Sequence, residues 1–214
     1  MIIAVDGPAA SGKGTLAAAL GRHFNLPILD TGLLYRAVGH AVKAYIDLPD
    51  IEARALEAAS NLDLEAIEPE YLISAEVGVL ASKIAVYPSV RRALYQAQRD
   101  FALQPSGAVL DGRDIGTTIA PEADAKLFIV AAPEVRAYRR ARQLEARGQK
   151  VDREALLEQI KERDARDAGA AHGGFRPAED AYLLDTTNLD IEAAITAAIA
   201  QVEAVIARKS AQQG

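Results

Sequence analysis

The sequence predicts an α/β protein in which a parallel β-sheet is flanked by helices. Short runs of β-branched residues alternate with longer, alanine-rich stretches of helical periodicity, which is the pattern of parallel strands joined by helical crossovers. The 214 residues suffice for one such domain with an insertion, because a chain of this length buries about 70% of its unfolded surface. Cysteine is absent, so the core does not depend on disulfides.

Five segments have the length and apolar composition of short buried strands. The five predicted strands are Ile2–Asp6, Ile28–Asp30, Ala108–Asp111, Lys126–Val130 and Tyr182–Asp185.

Proline, glycine and apolar spacing mark the helices that follow the later strands. Pro133 and Gly148 bracket one helix in the favoured order, with proline in the first turn and glycine after the end. A second helix is predicted to begin near Asp152, and a third from Asp190 to about Arg208. The third is amphipathic, and its predicted buried stripe comprises Ile191, Ile195, Ile199, Val202 and Ile206.

The stretch between the second and third strands is too long for a simple crossover. Its sequence predicts helices at Asp50–Ser60, Ser74–Val86 and Pro88–Gln104 and no buried parallel strand. We interpret it as a substrate-binding insertion in the core fold.

Charge and composition exclude several classes of protein. Lys and Arg number 24 and Asp and Glu number 30, which gives a net charge of -6, whereas a dedicated nucleic-acid or anionic-membrane binder needs a sustained positive field. No apolar run approaches the roughly 18 residues of a membrane span. The scattered His23, His40 and His172 argue against zinc. We therefore expect a cytoplasmic monomer that binds small molecules, with no nucleic acid and no membrane as partner.

A phosphate-binding loop follows the first strand and opens the first helix. It reads Gly7-Pro8-Ala9-Ala10-Ser11-Gly12-Lys13-Gly14-Thr15, and this strand-loop-helix context is what gives a GxxxxGK pattern its meaning. Backbone N–H groups and the helix N-terminus form an anion cradle, and Lys13 can reach the terminal phosphates of a nucleotide. Thr15 can supply a hydroxyl on the Mg²⁺ side.

The loop by itself fits a kinase, a GTP switch, a motor or a transporter ATPase. A GTP switch would need an Asn-Lys-x-Asp motif, which the sequence lacks. Gly14 followed by Thr15 is typical of small-molecule and nucleoside monophosphate kinases. Asp111 ends an apolar run, as a Mg²⁺-side carboxylate would, although on spacing alone an ordinary capping or turn aspartate is an equal alternative.

Further motifs follow in a fixed order along nearly the whole chain. They are Asp6–Thr15, Leu29–Gly32 with Tyr35 and Arg36, Ala81 and Ser82 with Pro88–Arg91, Asp111–Thr117, and Ile160–Asp164 with Arg166 and Asp167. With these motifs the chain closely resembles the bacterial cytidylate kinases, which transfer the γ-phosphoryl group of ATP to CMP or dCMP. The resemblance implies a P-loop NTPase core with a nucleoside monophosphate (NMP)-binding insertion and a small lid.

The resemblance also implies roles for individual residues. Thr31, Arg36 and Arg113 would bind the CMP phosphate. This role agrees with the positions of Arg36 and Arg113 after the ends of predicted strands. Tyr35 belongs to the same set of substrate-binding residues. Ser82, Arg91 and Asp114 would read cytosine, whose N3 and O2 accept hydrogen bonds and whose N4 donates. Arg163 and Asp167 would bind the ribose hydroxyls.

A basic segment precedes and includes the last of these motifs. From Arg136 to Asp167 there are ten basic and seven acidic residues. Such runs are usually solvated helix faces, but Arg136, Arg139 and Arg140 share one face. With Arg163 and Arg166 they suit a lid that closes over the triphosphate and excludes water, and Lys13, Arg139 and Arg163 are the predicted catalytic residues.

These interpretations give a single domain over residues 1–214. Its predicted parts are a core of 1–35, 105–150 and 180–214, an NMP-binding insertion of about 36–104, and a lid of about 150–178.

Three departures from the family pattern stand out. Thr31 replaces a common serine, the stretch from Leu64 to Ser74 is short, and the segment after Asp167 lacks an expected arginine around Ala170.

Two alternatives to CMP phosphorylation remain: a kinase for another small acceptor such as AMP, UMP or shikimate, and a nucleotide-dependent binding module. Rapid transfer of phosphate to a free monophosphate would distinguish an enzyme from a module.

Overall fold

The computed structural model describes residues 1–64, 66–72, 74–169 and 175–213. The strands are β1 (Ile2–Asp6), β2 (Ile28–Asp30), β3 (Ala108–Gly112), β4 (Ala125–Val130) and β5 (Tyr182–Asp185). The helices are α1 (Lys13–Phe24), α2 (Thr31–Ala41), α3 (Ile51–Ser60), α4 (Pro69–Leu72), α5 (Ala75–Ile84), α6 (Pro88–Ala102), α7 (Pro133–Glu145), α8 (Arg153–Gly169) and α9 (Ile191–Gln213). A 3₁₀ turn covers Lys43–Tyr45 and a π-helical turn covers Ile115–Ile119.

The five strands form one parallel sheet in the order β2-β3-β1-β4-β5. β1 pairs with β3 from Ile2 opposite Ala108, and with β4 from Ile3 opposite Ala125, so it is the central strand. The predicted α/β class is confirmed, with β3 ending one residue later and β4 beginning one residue earlier than predicted. Because the carboxyl ends of parallel strands share one edge, the loops after β1 and β3 start there together.

The chain divides into two compact units. One comprises Met1–Ile28 with Pro105–Gly214, and the other comprises Leu29–Gln104. The second unit begins at Leu29, whereas the predicted insertion begins at about residue 36. The predicted core, NMP-binding insertion and lid remain functional predictions.

The core of the first unit lies between the sheet, α1 and α9. Ile3 and Val5 of β1 pack in one cluster with Leu20 of α1 and Ile129 of β4. The predicted stripe of α9 is partly wrong, because Ile191 is exposed. The α9 residues buried there are Ala194, Ala198 and Val202, flanked by the partly buried Ile195, Ile199 and Ile206. Alanines on the inner face let the helix backbone approach β4 and α1, which displaces the larger isoleucines to the sides.

The two helices that carry the basic segment, α7 and α8, follow the boundary signals that the sequence predicts. Asp152 accepts hydrogen bonds from the backbone N–H groups of Glu154 and Ala155, both at 3.1 Å, and so caps α8. Gly148 follows α7 with φ +77°, a conformation that favours glycine.

The second unit is helical, with its own apolar core. Leu34 and Val38 of α2 pack with Ala55 of α3 and Leu94 of α6. Gly39 lets α2 and α5 approach closely, since a Cβ there would lie 2.9 Å from the Ala81 nitrogen. In the short stretch from Leu64 to Ser74, the residues that the structure describes contain the single-turn helix α4.

In the described part of the chain, no helix combines the length and the apolar character that crossing a membrane requires.

Candidate active site

The phosphate loop leaves β1 in a conformation that requires glycine. Gly7 has φ +152° and Gly12 has φ +93°, and a Cβ on Gly7 would lie 2.2 Å from the carbonyl oxygen of Ile129 in β4. Ala10 also adopts a positive φ of 60°. The loop therefore passes tightly against β4 and delivers Lys13 to the first position of α1.

Lys13 and Asp111 lie together at the start of α1. The Lys13 Nζ is 3.2 Å from Asp111 Oδ1, and both side chains are largely buried. Asp111 Oδ2 lies 3.2 Å from the position of a Cβ on Gly14, so a larger residue at 14 would crowd the carboxylate. Thr15 is exposed in the same first turn. Carboxylate and hydroxyl oxygens are hard donors of the kind that Mg²⁺ prefers, so these residues fit the predicted metal role.

Arg113 is held on two nitrogens and one face. Its Nε donates to Asp167 Oδ2 at 3.0 Å, and its Nη1 donates to the Gly7 carbonyl at 2.8 Å. The ring of Phe175 lies 5.8 Å from the guanidinium carbon and packs on Phe128 of β4. The structure thus brings together two predicted substrate residues, Arg113 and Asp167, beside the phosphate loop.

Asp6 belongs to this region, although sequence reasoning assigned it no role. Its buried carboxylate accepts hydrogen bonds from the backbone N–H groups of Ile115 at 2.9 Å and Gly116 at 2.8 Å. These bonds fix the turn that begins directly after Asp114, which is itself buried. The position of Asp6 at the end of an apolar strand, like that of Asp111, was the signal that could have identified it.

Burial raises the pKa of Asp6 to about 7, and the nearby carboxylates of Asp114 and Asp111 add to this, while the two backbone hydrogen bonds oppose it. The folded-state pKa of Asp6 lies above its ordinary value of 3.8, so the fold favours the protonated carboxyl group. The stability that Asp6 contributes is therefore fully present below pH 3.8 and is lost as the pH rises through about 7. We expect Asp6→Asn to remove this pH-dependent loss of stability, which amounts to about 2 to 3 kcal/mol between pH 5 and 8.

The measurement is Tm as a function of pH from 5 to 8. Wild type should lose more Tm over this range than Asp6→Asn. The control is Asp47→Asn, at a carboxylate that is 86% exposed, and it should keep the wild-type slope. Parallel profiles for wild type and Asp6→Asn would contradict the prediction.

Arg136 of α7 does not belong to an open basic face. It is 3% exposed, and its guanidinium donates to the carbonyls of Ala131 at 2.9 Å and Ala9 at 3.1 Å and to both carboxylate oxygens of Asp164. The predicted grouping of Arg136 with the lid arginines is therefore wrong. Its side chain ties α7 to α8 and to the phosphate loop, because a buried guanidinium must satisfy its donors.

Arg139 lies against the phosphate loop. It donates to Thr186 Oγ1 at 3.0 Å and to the carbonyls of Thr186 at 2.7 Å, Leu189 at 3.3 Å and Ser11 at 3.4 Å. Burial lowers the pKa of Arg139 from its ordinary value. The buried Thr186, which sequence reasoning missed, also donates from its hydroxyl to the Ser11 carbonyl at 3.2 Å. The catalytic role of Arg139 stays a prediction.

Among the other basic residues of the predicted lid, Arg140 and Arg163 are partly buried and Arg166 is exposed. Residue 170, where the resemblance implies an arginine, lies outside the described residues.

The second unit brings four of its predicted substrate residues into two pairs. Arg36 donates from Nη1 to the carbonyls of Leu72 at 2.6 Å and Ser74 at 3.1 Å, and its Nη2 is 3.0 Å from the position of a Cβ on Gly78. The Ser82 hydroxyl donates to the Gly78 carbonyl at 3.1 Å. Arg36 and Ser82 thus meet around one glycine of α5.

The other pair is Tyr35 and Arg91, whose guanidinium carbon lies 6.0 Å from the Tyr35 ring centroid. Thr31 is buried in the first turn of α2, which Asp30 caps by accepting from the Gly32 N–H at 2.9 Å. Thr31, Tyr35 and Arg36 therefore share one helix.

Comparisons with known proteins point to one family, and the matches cover almost the whole chain. The family model for cytidylate kinase matches residues 3–204. The chain is 56% identical to a cytidylate kinase of Xanthobacter autotrophicus over 95% of its own length and 98% of that protein. Identity is 54% to a cytidylate kinase of Methylocella silvestris, over 95% and 94% of the two chains, and 52% to one of a Bradyrhizobium species, over 96% and 97%.

A solved structure shares the fold. An uncharacterized protein from Eubacterium ventriosum superposes with a TM-score of 0.51 at 17% identity, covering 95% of this chain and 98% of that chain.

Proposed function

The chain belongs to the cytidylate kinase family, and on that premise we propose that it transfers the γ-phosphoryl group of ATP to CMP or dCMP. The family match over residues 3–204 carries this proposal. The phosphate loop that places Lys13 beside Asp111 supports it, because phosphoryl transfer depends mainly on positioning and charge. A cytoplasmic, monomeric enzyme remains our expectation from the sequence.

We assign the donor site to the phosphate loop. The backbone of Gly7–Thr15 would hold the phosphates of ATP, and Lys13 would offset charge on the transferring group. Thr15 and Asp111 would hold Mg²⁺, which when bound neutralises phosphate charge and orients the nucleotide. Arg139 and Arg163 would add positive charge during transfer.

The acceptor residues carry complementary chemistry. Thr31, Tyr35, Arg36 and Arg113 would bind the acceptor phosphate, where the planar guanidinium fork suits a dianion. The base would be read by Ser82 and Arg91 as donors to N3 and O2 and by Asp114 as the acceptor for the N4 amino group. The predicted ribose residues are Arg163 and Asp167.

The direct test is an acceptor panel. The full-length protein with Mg·ATP should phosphorylate CMP and dCMP much faster than UMP or AMP. Faster transfer of phosphate to another monophosphate would show that this monophosphate, and not CMP, is the preferred substrate. ATP hydrolysis without transfer to any monophosphate would favour a nucleotide-dependent binding module.

Asp114→Asn should weaken the use of CMP by about tenfold or more while leaving the KM for ATP nearly unchanged. The amide brings a donor to face the cytosine amino group, and a buried unmatched polar group costs about 1 to 3 kcal/mol. The measurement is kcat/KM for CMP and UMP together with the KM for ATP. Equal losses for CMP and UMP would show that Asp114 does not read the base.

A further inference from the structure

We propose that Thr186 is a positioning residue for the donor site. Its hydroxyl holds the Ser11–Gly12 peptide in the orientation that turns the Gly12 N–H toward the phosphates of ATP. The inference rests on the proposed function and deepens it, because it gives the loop after β5 a role in ATP binding. It starts from a buried hydrogen bond between the Thr186 hydroxyl and the Ser11 carbonyl oxygen, at 3.2 Å.

The Thr186 hydroxyl links Arg139 to the phosphate loop. Arg139 Nη1 donates to the hydroxyl oxygen at 3.0 Å. The single hydroxyl proton has two carbonyl oxygens within reach, those of Ser11 and Val130, each at 3.2 Å. The Val130 carbonyl already accepts from the backbone N–H of Thr186 at 2.8 Å, so the Ser11 carbonyl is the acceptor that needs the proton.

The Ser11 carbonyl depends on this bond because water does not reach it. Ser11 is 0% exposed and Thr186 is 2% exposed. Arg139 Nη1 also approaches the Ser11 carbonyl, at 3.4 Å, which is longer than the usual N–H···O distance of about 2.7 to 3.2 Å. Loss of the Thr186 hydroxyl would therefore leave a buried carbonyl poorly satisfied, which is costly.

The direction of this carbonyl decides where the next N–H points. A trans peptide is planar, and its C=O and N–H point in opposite directions. Because the Ser11 carbonyl faces Thr186 and Arg139, the Gly12 N–H faces away from them. Gly12 directly precedes α1, and backbone N–H groups at such a position are those that bind an anion.

The backbone of Gly12 does not hold this orientation by itself. Gly12 has φ +93°, and glycine adopts positive and negative φ about equally well. The Ser11–Gly12 peptide can therefore rotate to the opposite orientation without strain at Gly12, and a carbonyl oxygen would then face the phosphates and repel them. Thr186, oriented by Arg139, supplies the contact that prevents this rotation.

The first experiment measures calorimetric Kd values for Mg·ATP and for CMP with the full chain. Thr186→Val keeps the shape of threonine without its hydroxyl, and Thr186→Ser keeps the hydroxyl. We expect Thr186→Val to raise the Kd for ATP about tenfold, Thr186→Ser to stay within about threefold of wild type, and the Kd for CMP to change less than about twofold in both. An unchanged Kd for ATP in Thr186→Val, or equal losses for ATP and CMP, would overturn the proposal.

Two further variants control the binding measurement. Thr186→Ala also removes the hydroxyl but places no methyl group against the Ser11 carbonyl, so it gives the same test if the valine variant does not fold. Thr196→Val is the matched control, because Thr196 is exposed on α9. It loses the same chemical group and should keep the wild-type Kd for ATP.

The second experiment observes the peptide itself by NMR. With 13C at serine carbonyls and 15N at glycine, the only labelled Ser–Gly peptides in the sequence are 11–12 and 106–107. At saturating Mg·ATP the Gly12 amide proton should move downfield in wild type, because a hydrogen bond to phosphate is charge-assisted. It should move less than half as far in Thr186→Val, with Gly107 unmoved as the internal reference. Equal Gly12 shifts in the two proteins would overturn the proposal.

The outcomes separate this inference from the proposed function. If wild type binds ATP but phosphorylates no cytidine acceptor, the proposed function is wrong, and the comparison of Thr186 variants still decides the role of the hydroxyl. If wild type phosphorylates CMP and Thr186→Val binds ATP as well as wild type does, only the positioning role is wrong. If wild type binds no ATP, both are wrong.

Discussion

Lys13→Ala should lower kcat by about 10² or more, as the removal of one preorganised charge donor from an active site typically does. Lys13 opens α1 after the left-handed Gly12, and its Nζ lies 3.2 Å from Asp111. No other lysine occurs in the phosphate loop or α1. The measurement is steady-state turnover of CMP with Mg·ATP, together with circular dichroism to show that the variant is folded.

Lys161→Ala is the control for loss of a lysine charge. Lys161 is exposed on α8 and pairs with Glu158 at 2.9 Å, and the variant should keep kcat within about twofold, since exposed ion pairs contribute little. Near wild-type turnover in Lys13→Ala would contradict the assignment of the loop to phosphoryl transfer.

Gly7→Ala should reduce the free energy of unfolding by about 3 kcal/mol or more and abolish ATP binding. A Cβ at this position would lie 2.2 Å from the Ile129 carbonyl oxygen. That carbonyl belongs to the backbone of β4, which pairs with both β1 and β5, so it cannot move without loss of sheet hydrogen bonds. Steric overlap and an unfavourable φ of +152° therefore act together.

Gly148→Ala separates the two causes. Gly148 also has a positive φ, +77°, but nothing lies within 4 Å of the position of its Cβ. The Gly148→Ala variant should lose only about 1 kcal/mol of its free energy of unfolding, which is the cost of the left-handed conformation for alanine. Denaturant unfolding of both variants gives the comparison, and a similar loss in the two would show that overlap with β4 is not the main cause of the destabilisation.

Much of the fold was predictable because its signals are local. An apolar run such as Ile2–Asp6 has the composition of a buried strand wherever it occurs, and Pro133 marks a helix start through its own fixed φ. The predicted face of α9 was partly wrong for the opposite reason. Apolar periodicity places Ile191 on the buried stripe, but the exposure of each position depends on what the helix packs against.

The candidate site divides in the same way. The phosphate loop was predictable because its function resides in consecutive backbone N–H groups, one lysine and the following helix. The roles of Asp6, Arg136 and Thr186 were not, because each depends on partners far away in sequence, such as Ile115 for Asp6 and Asp164 for Arg136.

The sequence by itself determined the strands, the phosphate loop and the family motifs, since these are properties of neighbouring residues. Only the tertiary structure decided which charged groups are engaged with the protein itself. Arg136 and Arg139 share one face of α7, yet Arg136 is 3% exposed and paired with Asp164, while Arg139 binds the carbonyls after β5. A charged side chain in the interior must find partners that replace water, and the fold fixes which partners are within reach.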